Sequence, residues 1–321
     1  MVGVRDAADV SAARLLVREV ADTISMPSET AERAAIVASE LATNQVRYAG
    51  CGRVGVRAIE RDGIPGIEVD ADDEGPGLSD PTRAFGGEGG GTQGTLGIGL
   101  ASVRRVTAEI DLDTRIGEGT RILARIFAGP VRRRPSVTIL GVGLSSESVS
   151  GDAAGFWRLD RSLLVMLTDG LGHGRPAREA SDRALAVAAA GSESRPEVIL
   201  SECTSALRGT RGAVIAIGRL DEAGSLDIAS VGNIQMGLCD PGGARRIAGS
   251  AGYVGSPSPR SIRPIRISAP DGVTWVLATD GIRDPLAACA EARTFPPWAL
   301  AHRILLHGGT AHDDAMVVVV R

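Results

Sequence analysis

Apolar residues recur at spacings of three and four over residues 10–20 and again over 29–48, which predicts two amphipathic helices separated by Pro27 and Ser28. Apolar and polar positions then alternate over 53–59 and 66–71, the period of half-buried strands. A glycine-rich stretch at 86–99 leads into a predicted helix near 100–108, and further strands close at Phe127. Residues 129–135 place two prolines around a run of arginines and predict an exposed connection. Beyond it, short runs rich in Val, Ile and Leu, broken by Gly, Asp and Pro, predict a mostly β core with helices near 176–190, 195–207 and 297–307.

Length supports the division, because 321 residues exceed one ordinary core and fit two. The expected organisation is a first α+β domain at 1–129, a linker at 130–135 and a second domain at 136–321. With 43% hydrophobic and 23% charged residues, disorder is excluded as the dominant state. The 35 basic residues are all arginine, read as codon usage, and stand against 39 acidic ones. No basic stripe interleaved with aromatics appears, which argues against a nucleic-acid surface. Cys51, Cys203, Cys239 and Cys289 are scattered without a C-x-x-C pair, so neither a disulfide framework nor a zinc site is expected, and a reducing cytoplasm fits. Arg5, Asp6 and Asp9 precede any apolar stretch, and apolar runs such as 315–320 fall far short of a membrane span.

Four elements of the first domain carry candidate chemistry. Glu40 and Asn44 share one helix face. A carboxylate there can take a proton from an attacking hydroxyl, and an amide oxygen can complete the shell of a Mg²⁺ bridging ATP phosphates; the pair alone reads first as a solvated polar face. Asp72-Asp73-Glu74-Gly75-Pro76-Gly77 follows a strand, and its glycines let backbone approach a flat ligand whose amine a carboxylate accepts, as adenine would require. Gly94-Thr95-Leu96-Gly97-Ile98-Gly99-Leu100 opens a helix, where free N–H groups favour phosphate. Gly117-Glu118-Gly119-Thr120 is a turn whose hydroxyl can support the adenine-binding acid.

In the second domain, Asp152, Asp169, Asp280 and the pair Asp313-Asp314 each lie at a predicted strand end. If Asp160-Arg161 is a two-residue turn, the flanking strands pair so that Asp152 faces Asp169. Directly opposed β-carbons lie about 4.5 to 5.5 Å apart, so two carboxylates there repel unless a hard divalent ion sits between them. Any one Asp-Gly alone reads as the end of a hairpin strand.

The four N-terminal elements, in this order, resemble the GHKL ATPase family, most closely the serine kinases that switch stressosome and anti-sigma pathways. The resemblance implies a Bergerat ATP-binding α/β sandwich with Glu40 as general base, Asn44 on the Mg²⁺ of ATP and Asp73 on the adenine amine. Gly75, Gly77, Gly97 and Gly99 would shape the pocket and a lid at 85–94. Glu147-x-x-Ser150-Gly151-Asp152, Thr168-Asp169-Gly170-Leu171-Gly172-His173-Gly174, Gly232-Asn233, Thr279-Asp280-Gly281 and Asp313-Asp314 resemble the SpoIIE branch of PPM-type phosphatases. That resemblance covers the chain from about residue 136 to its end and implies an α-β-β-α sandwich. Asp152, Asp169, Asp280 and Asp313 would bind two Mn²⁺ or Mg²⁺ with the Gly170 carbonyl, Asp152 and Asp169 at the catalytic centre. Asp314 in place of Asp313 stays open. So does His173, as an acid near the leaving group or a turn histidine bonded to backbone; His302, His307 and His312 read as surface.

Together the resemblances imply a cytoplasmic bacterial signalling enzyme: a metal-dependent protein serine/threonine phosphatase with an ATP-binding serine kinase-like domain. Its partners would be phosphorylated STAS-domain proteins or other sigma-pathway regulators, with no nucleic acid or membrane, and a homodimer is among the assemblies it admits. The alternative is a first domain that only binds ATP and a partner, as an anti-sigma-type module or nucleotide sensor.

Overall fold

Asp6 sets the start of the first long helix, its carboxylate accepting the backbone N–H groups of Ala8 (2.8 Å) and Asp9 (3.1 Å), two donors that a helix N-terminus leaves unpaired. This helix, α1 (Ala7–Thr23), packs on α2 (Ser28–Asn44). The buried side of α2 is largely alanine, with Ala34, Ala35, Ala38 and Ala42 beside Val37 and Leu41, so its neighbours approach closely. The computed structural model describes residues 1–86, 98–240, 242–256, 262–269, 272–288 and 295–321. They divide into two compact units, Met1–Thr138 and Ile139–Arg321.

In the first unit, strands β1 (Val2–Val4), β2 (Gly52–Arg61), β3 (Ile64–Asp73), β4 (Glu109–Ile116) and β5 (Gly119–Phe127) run antiparallel in the order β1-β2-β3-β5-β4. Asp62 (φ +53°) and Gly63 (φ +75°) join β2 to β3 by a two-residue turn with both residues left-handed, the hairpin geometry that matches strand twist. Short helices α3 (Pro81–Gly86) and α4 (Ile98–Val106) complete the unit. Ile67, Val69 and Ala71 of β3 and Ile122, Ala124 and Ile126 of β5 form one buried sheet face.

The intervening positions are polar, a pattern that reads as solvent-facing, yet four of them are buried. Glu68, Glu109, Asp111 and Arg125 are each under 5% exposed. The strand register sets Arg57 opposite Glu68, Glu68 opposite Arg125 and Arg125 opposite Glu109. Arg125 contacts Glu68 (2.7 Å) and Asp111 (2.8 Å), and Arg61 holds Glu109 (2.5 Å) while lying over the Phe127 ring. The segment expected as an exposed linker is strapped to this ladder: Arg61 donates to the Arg132 carbonyl (2.9 Å), Glu109 accepts the Arg134 N–H (2.7 Å) and Asp111 the Val137 N–H (2.8 Å). Residues 130–135 therefore belong to the first unit, because its buried carboxylates need these backbone donors.

Arg125→Met takes one cation from each of three buried acids, Glu68, Glu109 and Asp111, of which the first two keep Arg57 and Arg61, and removing one partner of a buried pair costs about 3 to 5 kcal/mol. The expected result is faster hydrogen exchange across β3, β4 and β5 with the second unit unaffected; equal exchange would show the ladder to be dispensable.

The second unit builds two antiparallel-rich sheets. One runs β6-β15-β14-β11-β12, with β6 (Val137–Val142), β11 (Gln235–Asp240), β12 (Gly243–Ile247), β14 (Thr274–Ala278) and β15 (Ala315–Val320); the other runs β7-β8-β9-β10-β13, with β7 (Asp152–Arg158), β8 (Ser162–Gly170), β9 (Ala213–Asp221), β10 (Ser225–Val231) and β13 (Ile265–Ser268). Helices α5 (Arg175–Ala190) and α6 (Pro196–Ala206) pack on the β7–β10 sheet, and a last helix, α7 (Pro297–Gly308), on β15, giving four layers α-β-β-α. Ala177, Ala180, Ala184 and Ala188 bring α5 close to the sheet, and the continuous apolar runs of β8 and β15 are buried because both of their faces are covered. Among the described residues no helix is long and apolar enough to cross a membrane.

Candidate functional sites

In the first unit the helical chain does not stop at Asn44. Gln45–Ala49 continue as a π-helical turn, a feature that often marks functional sites. The buried Gln45 amide fixes it by donating to the carbonyls of Arg53 and Asp72, both at 3.0 Å. The turn ends against the Asp73 loop: a β-carbon on Gly75 would lie 2.6 Å from that of Ala49, so only glycine fits. Asp73 accepts the Gly75 N–H (2.9 Å) and a backbone N–H from Thr120, while burial pushes its carboxyl above the ordinary range. Support from Thr120 thus comes from its amide; its hydroxyl instead pairs with Thr114 (2.8 Å), which also accepts the Leu78 N–H (2.8 Å). Gly77 is left-handed against the Arg115 carbonyl.

The start of α4 closes the other side. A β-carbon on Gly99 would lie 2.8 Å from Glu40 Oε2 and within 3.8 Å of both polar atoms of the Asn44 amide. Glu40, Asn44 and Gly99 therefore share one small space, and the π turn ties it to Asp73 through Ala49 and Gly75. Gly97, and the rest of 87–97 with the expected lid, lie outside the described residues.

In the second unit β7 and β8 pair in the expected register, Asp152 opposite Asp169. Gly170 donates to the Gly151 carbonyl (3.3 Å), which makes Gly151 and Gly170 the hydrogen-bonded pair and Asp152 and Asp169 the closer, non-hydrogen-bonded one. Asp152 accepts from the Thr279 hydroxyl (2.7 Å), and Thr279 in turn accepts the Met316 N–H (2.9 Å). Asp280 accepts from Asn233 (2.7 Å). Asp314 is buried and takes the N–H groups of Leu144 (2.7 Å) and Gly151 (2.6 Å), so its carboxylate is spent on holding the loop before β7. Asp313 is the exposed member of that pair.

These acids crowd one another. Burial, then Asp169, drives the Asp152 carboxyl well above its usual range. Burial, then Asp280, Asp313 and Asp314, pushes Asp169 up to about 7, and among the described residues its carboxylate receives no hydrogen bond. Asp313 is raised as well, first by burial. A hard cation fits this set, since every donor is a carboxylate or a backbone carbonyl and the charge is uncompensated. Among the described residues no three acids converge on one point; Asp152 and Asp280 are hydrogen-bonded to Thr279 and Asn233 instead. His173 pairs with Glu147 (2.5 Å), not with backbone. Thr279 and Asn233 lie inside the Thr279-Asp280-Gly281 and Gly232-Asn233 motifs, but their hydrogen bonds to Asp152 and Asp280 join segments distant in sequence and carry no local signal.

A family model described as a histidine kinase-like ATPase domain matches residues 4–126. Over 116 residues the chain is 39% identical to the serine/threonine-protein kinase RsbT of Bacillus subtilis (strain 168), covering 36% of this chain and 86% of that protein. A solved structure described as the bacterial stressosome, a modular system adapted to control secondary messenger signaling, matches with a TM-score of 0.55 and 30% identity over 59% of this chain and 100% of its own. RsbX in complex with magnesium matches with a TM-score of 0.54 and 20% identity over 60% of this chain and 96% of its own. The PP2C phosphatase domain of Bacillus subtilis SpoIIE with a fragment of its regulatory domain matches with a TM-score of 0.50 and 16% identity over 98% of this chain and 97% of its own. At those identities RsbX and SpoIIE speak to fold alone, and the share matched by RsbX is larger than the first unit, so the likeness extends into the second.

Proposed function

This chain belongs to the histidine kinase-like ATPase family, and we propose that its first unit uses ATP to phosphorylate a serine or threonine of a STAS-domain regulator, while its second removes such phosphate. The observation that carries the phosphatase half is the facing, uncompensated pair Asp152 and Asp169 beside Asp280 and Asp313. Asp152, Asp169, Asp280, Asp313 and the Gly170 carbonyl would hold two Mg²⁺ or Mn²⁺, Asp314 being committed to backbone. Divalent cations there supply charge neutralisation for the phosphate and make water a better nucleophile at neutral pH. In hydrolysis a water oxygen bonds to phosphorus, the bond from phosphorus to the side-chain oxygen breaks, and that oxygen takes a proton. The products are the free hydroxyl and inorganic phosphate.

For the kinase half, Glu40 accepts the proton of the attacking hydroxyl, whose oxygen bonds to the γ-phosphorus as the bond to the bridging oxygen breaks and ADP leaves. Asn44 would hold the Mg²⁺ of ATP from the same helix face, and Asp73 would hold the adenine amine. The named activity of RsbT and the stressosome setting of one structural match support STAS-domain partners.

Incubating the full chain with labelled ATP, Mn²⁺ and STAS-domain proteins tests both halves. Glu40→Ala is expected to keep ATP bound yet lose phosphoryl transfer by about 100-fold or more, since a general base contributes roughly 10²- to 10⁴-fold. A wild type that binds ATP but labels no partner would instead make the first unit a nucleotide-binding module.

A further inference from the structure

Strands β8 and β9 pair Asp169 with Val214 and Gly170 with Ala213. Arg211, two residues before β9 begins, therefore stands at the same sheet end as the aspartates. Its guanidinium lies over the bare α-carbon of Gly172: a β-carbon there would be 2.6 Å from Nη1. Gly172 is left-handed (φ +89°), so the turn after Asp169 both demands glycine and leaves that space to the arginine.

The backbone presenting Arg211 is fixed on both sides. Leu171 donates to the Gly212 carbonyl (2.9 Å), Gly212 donates to the Thr210 hydroxyl (3.0 Å), and that hydroxyl donates to the Leu207 carbonyl (2.7 Å). Tyr253 packs over Gly212, and the neighbouring Val254 exchanges two backbone hydrogen bonds with Ala213 (3.0 and 2.7 Å). Despite a carboxylate cluster at this strand end, the exposed Arg211 side chain makes no ion pair or hydrogen bond among the described residues. On α5, Arg178 is paired with Asp182 (2.8 Å) and Arg183 with Glu179 (2.6 Å), while Arg175 at the start of that helix is, like Arg211, without a side-chain partner among the described residues; Arg211 is set apart by its guanidinium lying over Gly172.

We infer that Arg211 holds the phosphoryl oxygens of the phosphoserine or phosphothreonine substrate at the rim of the aspartate site. This rests on the phosphatase reading of the second unit. A site lined by carboxylates repels a phosphate dianion, and a cation presented from a fixed backbone without pairing with those acids offsets the repulsion. The planar guanidinium fork matches two phosphoryl oxygens at once, which an ammonium does not. Tyr253, 42% exposed and packed over Gly212 beside Arg211, offers an apolar face to the residue flanking the phosphate.

The test uses the full chain with Mn²⁺ and two probes, inorganic phosphate followed by calorimetry and a phosphoserine peptide followed by phosphate release. Arg211→Ala is expected to weaken phosphate binding and raise the peptide KM by roughly 10- to 100-fold, the range of a charge-assisted contact. Arg211→Lys should fall between, guanidinium ion added to the alanine variant should restore part of the loss, and binding of Mn²⁺ alone should not change. A purely structural role would give none of this rescue. Wild-type hydrolysis with phosphate affinity and KM within twofold in Arg211→Ala overturns the inference and leaves the phosphatase reading standing. Arg211-dependent phosphate binding without any hydrolysis by wild type overturns the phosphatase reading and, with it, the substrate role.

Discussion

Asp169→Asn is expected to abolish nearly all metal-dependent phosphate release and, without metal, to raise the melting temperature of the second unit. Asp169 sits opposite Asp152 with its carboxyl pushed to about 7 by burial and by Asp280, Asp313 and Asp314. The folded value lies above the ordinary 3.8, so the native state binds this proton more tightly than the unfolded chain. Metal-free stability from this group is then fully present below about pH 4 and is lost as pH rises towards 7. Asparagine carries no charge to bury, so the mutant's advantage should grow across that window and level off above it, on the order of 2 kcal/mol and a few degrees. Mn²⁺ should stabilise wild type more than the mutant, because a ligand stabilises the state it binds. Activity should fall by more than the roughly 10- to 100-fold typical of a lost outer partner, since a neutral amide would replace a carboxylate proposed to hold the cations. Rates and melting curves at several pH values, with and without Mn²⁺, check both halves. Full activity in the mutant, or hydrolysis without metal, would return these aspartates to ordinary turn residues.

What could be read from sequence here had local causes. The Asp160-Arg161 turn alone fixes the pairing of β7 with β8, so the meeting of Asp152 and Asp169 follows by counting along two strands. The long helices were legible for a similar reason: their apolar periods, with Pro196 and Pro297 at the starts of α6 and α7, need no partner to be recognised. By contrast β1, three residues long, has no period to detect, and it forms because Val2, Gly3 and Val4 pair with Val54, Arg53 and Gly52.

The buried charge ladder shows a different limit. Alternation in Ile67-Glu68-Val69-Asp70 tells which residues share a face, but not that the polar face is also covered or that residues 132–137 supply its backbone donors. Gln45 is likewise silent in sequence, since its two acceptors belong to Arg53 and Asp72 and its space is left by Gly52. Arg211 is marked by no motif; only the pairing of β9 with β8 brings it beside Gly172.

Asp73→Asn is expected to weaken ATP binding by about 100-fold while the first unit keeps its fold, a loss typical of a buried polar contact turned against its ligand. The half-buried Asp73 carboxylate already accepts two backbone N–H groups, from Gly75 and Thr120, and burial raises its carboxyl. Its remaining acceptor capacity suits an exocyclic amine. In the asparagine variant one oxygen becomes an NH₂ group. If the amide oxygen stays with the backbone donors, the NH₂ faces the adenine amine, donor against donor; if the amide turns over, the NH₂ faces Gly75 or Thr120 instead. Either choice leaves a buried donor unpaired, and the first removes the base contact outright. The space around Asp73 allows no easy escape, because Gly75 is pressed against Ala49 and Gly119 against the Asp73 carbonyl. Calorimetry with ATP and Mg²⁺ on wild type, Asp73→Asn and Glu40→Ala separates base recognition from proton transfer: the first variant should lose affinity and the second should keep it. Hydrogen exchange over β3 and β5 checks that the paired ends of these strands, Asp73 opposite Thr120, remain closed. Equal ATP affinity for wild type and Asp73→Asn would remove Asp73 from the adenine contact and require another acceptor in the first unit.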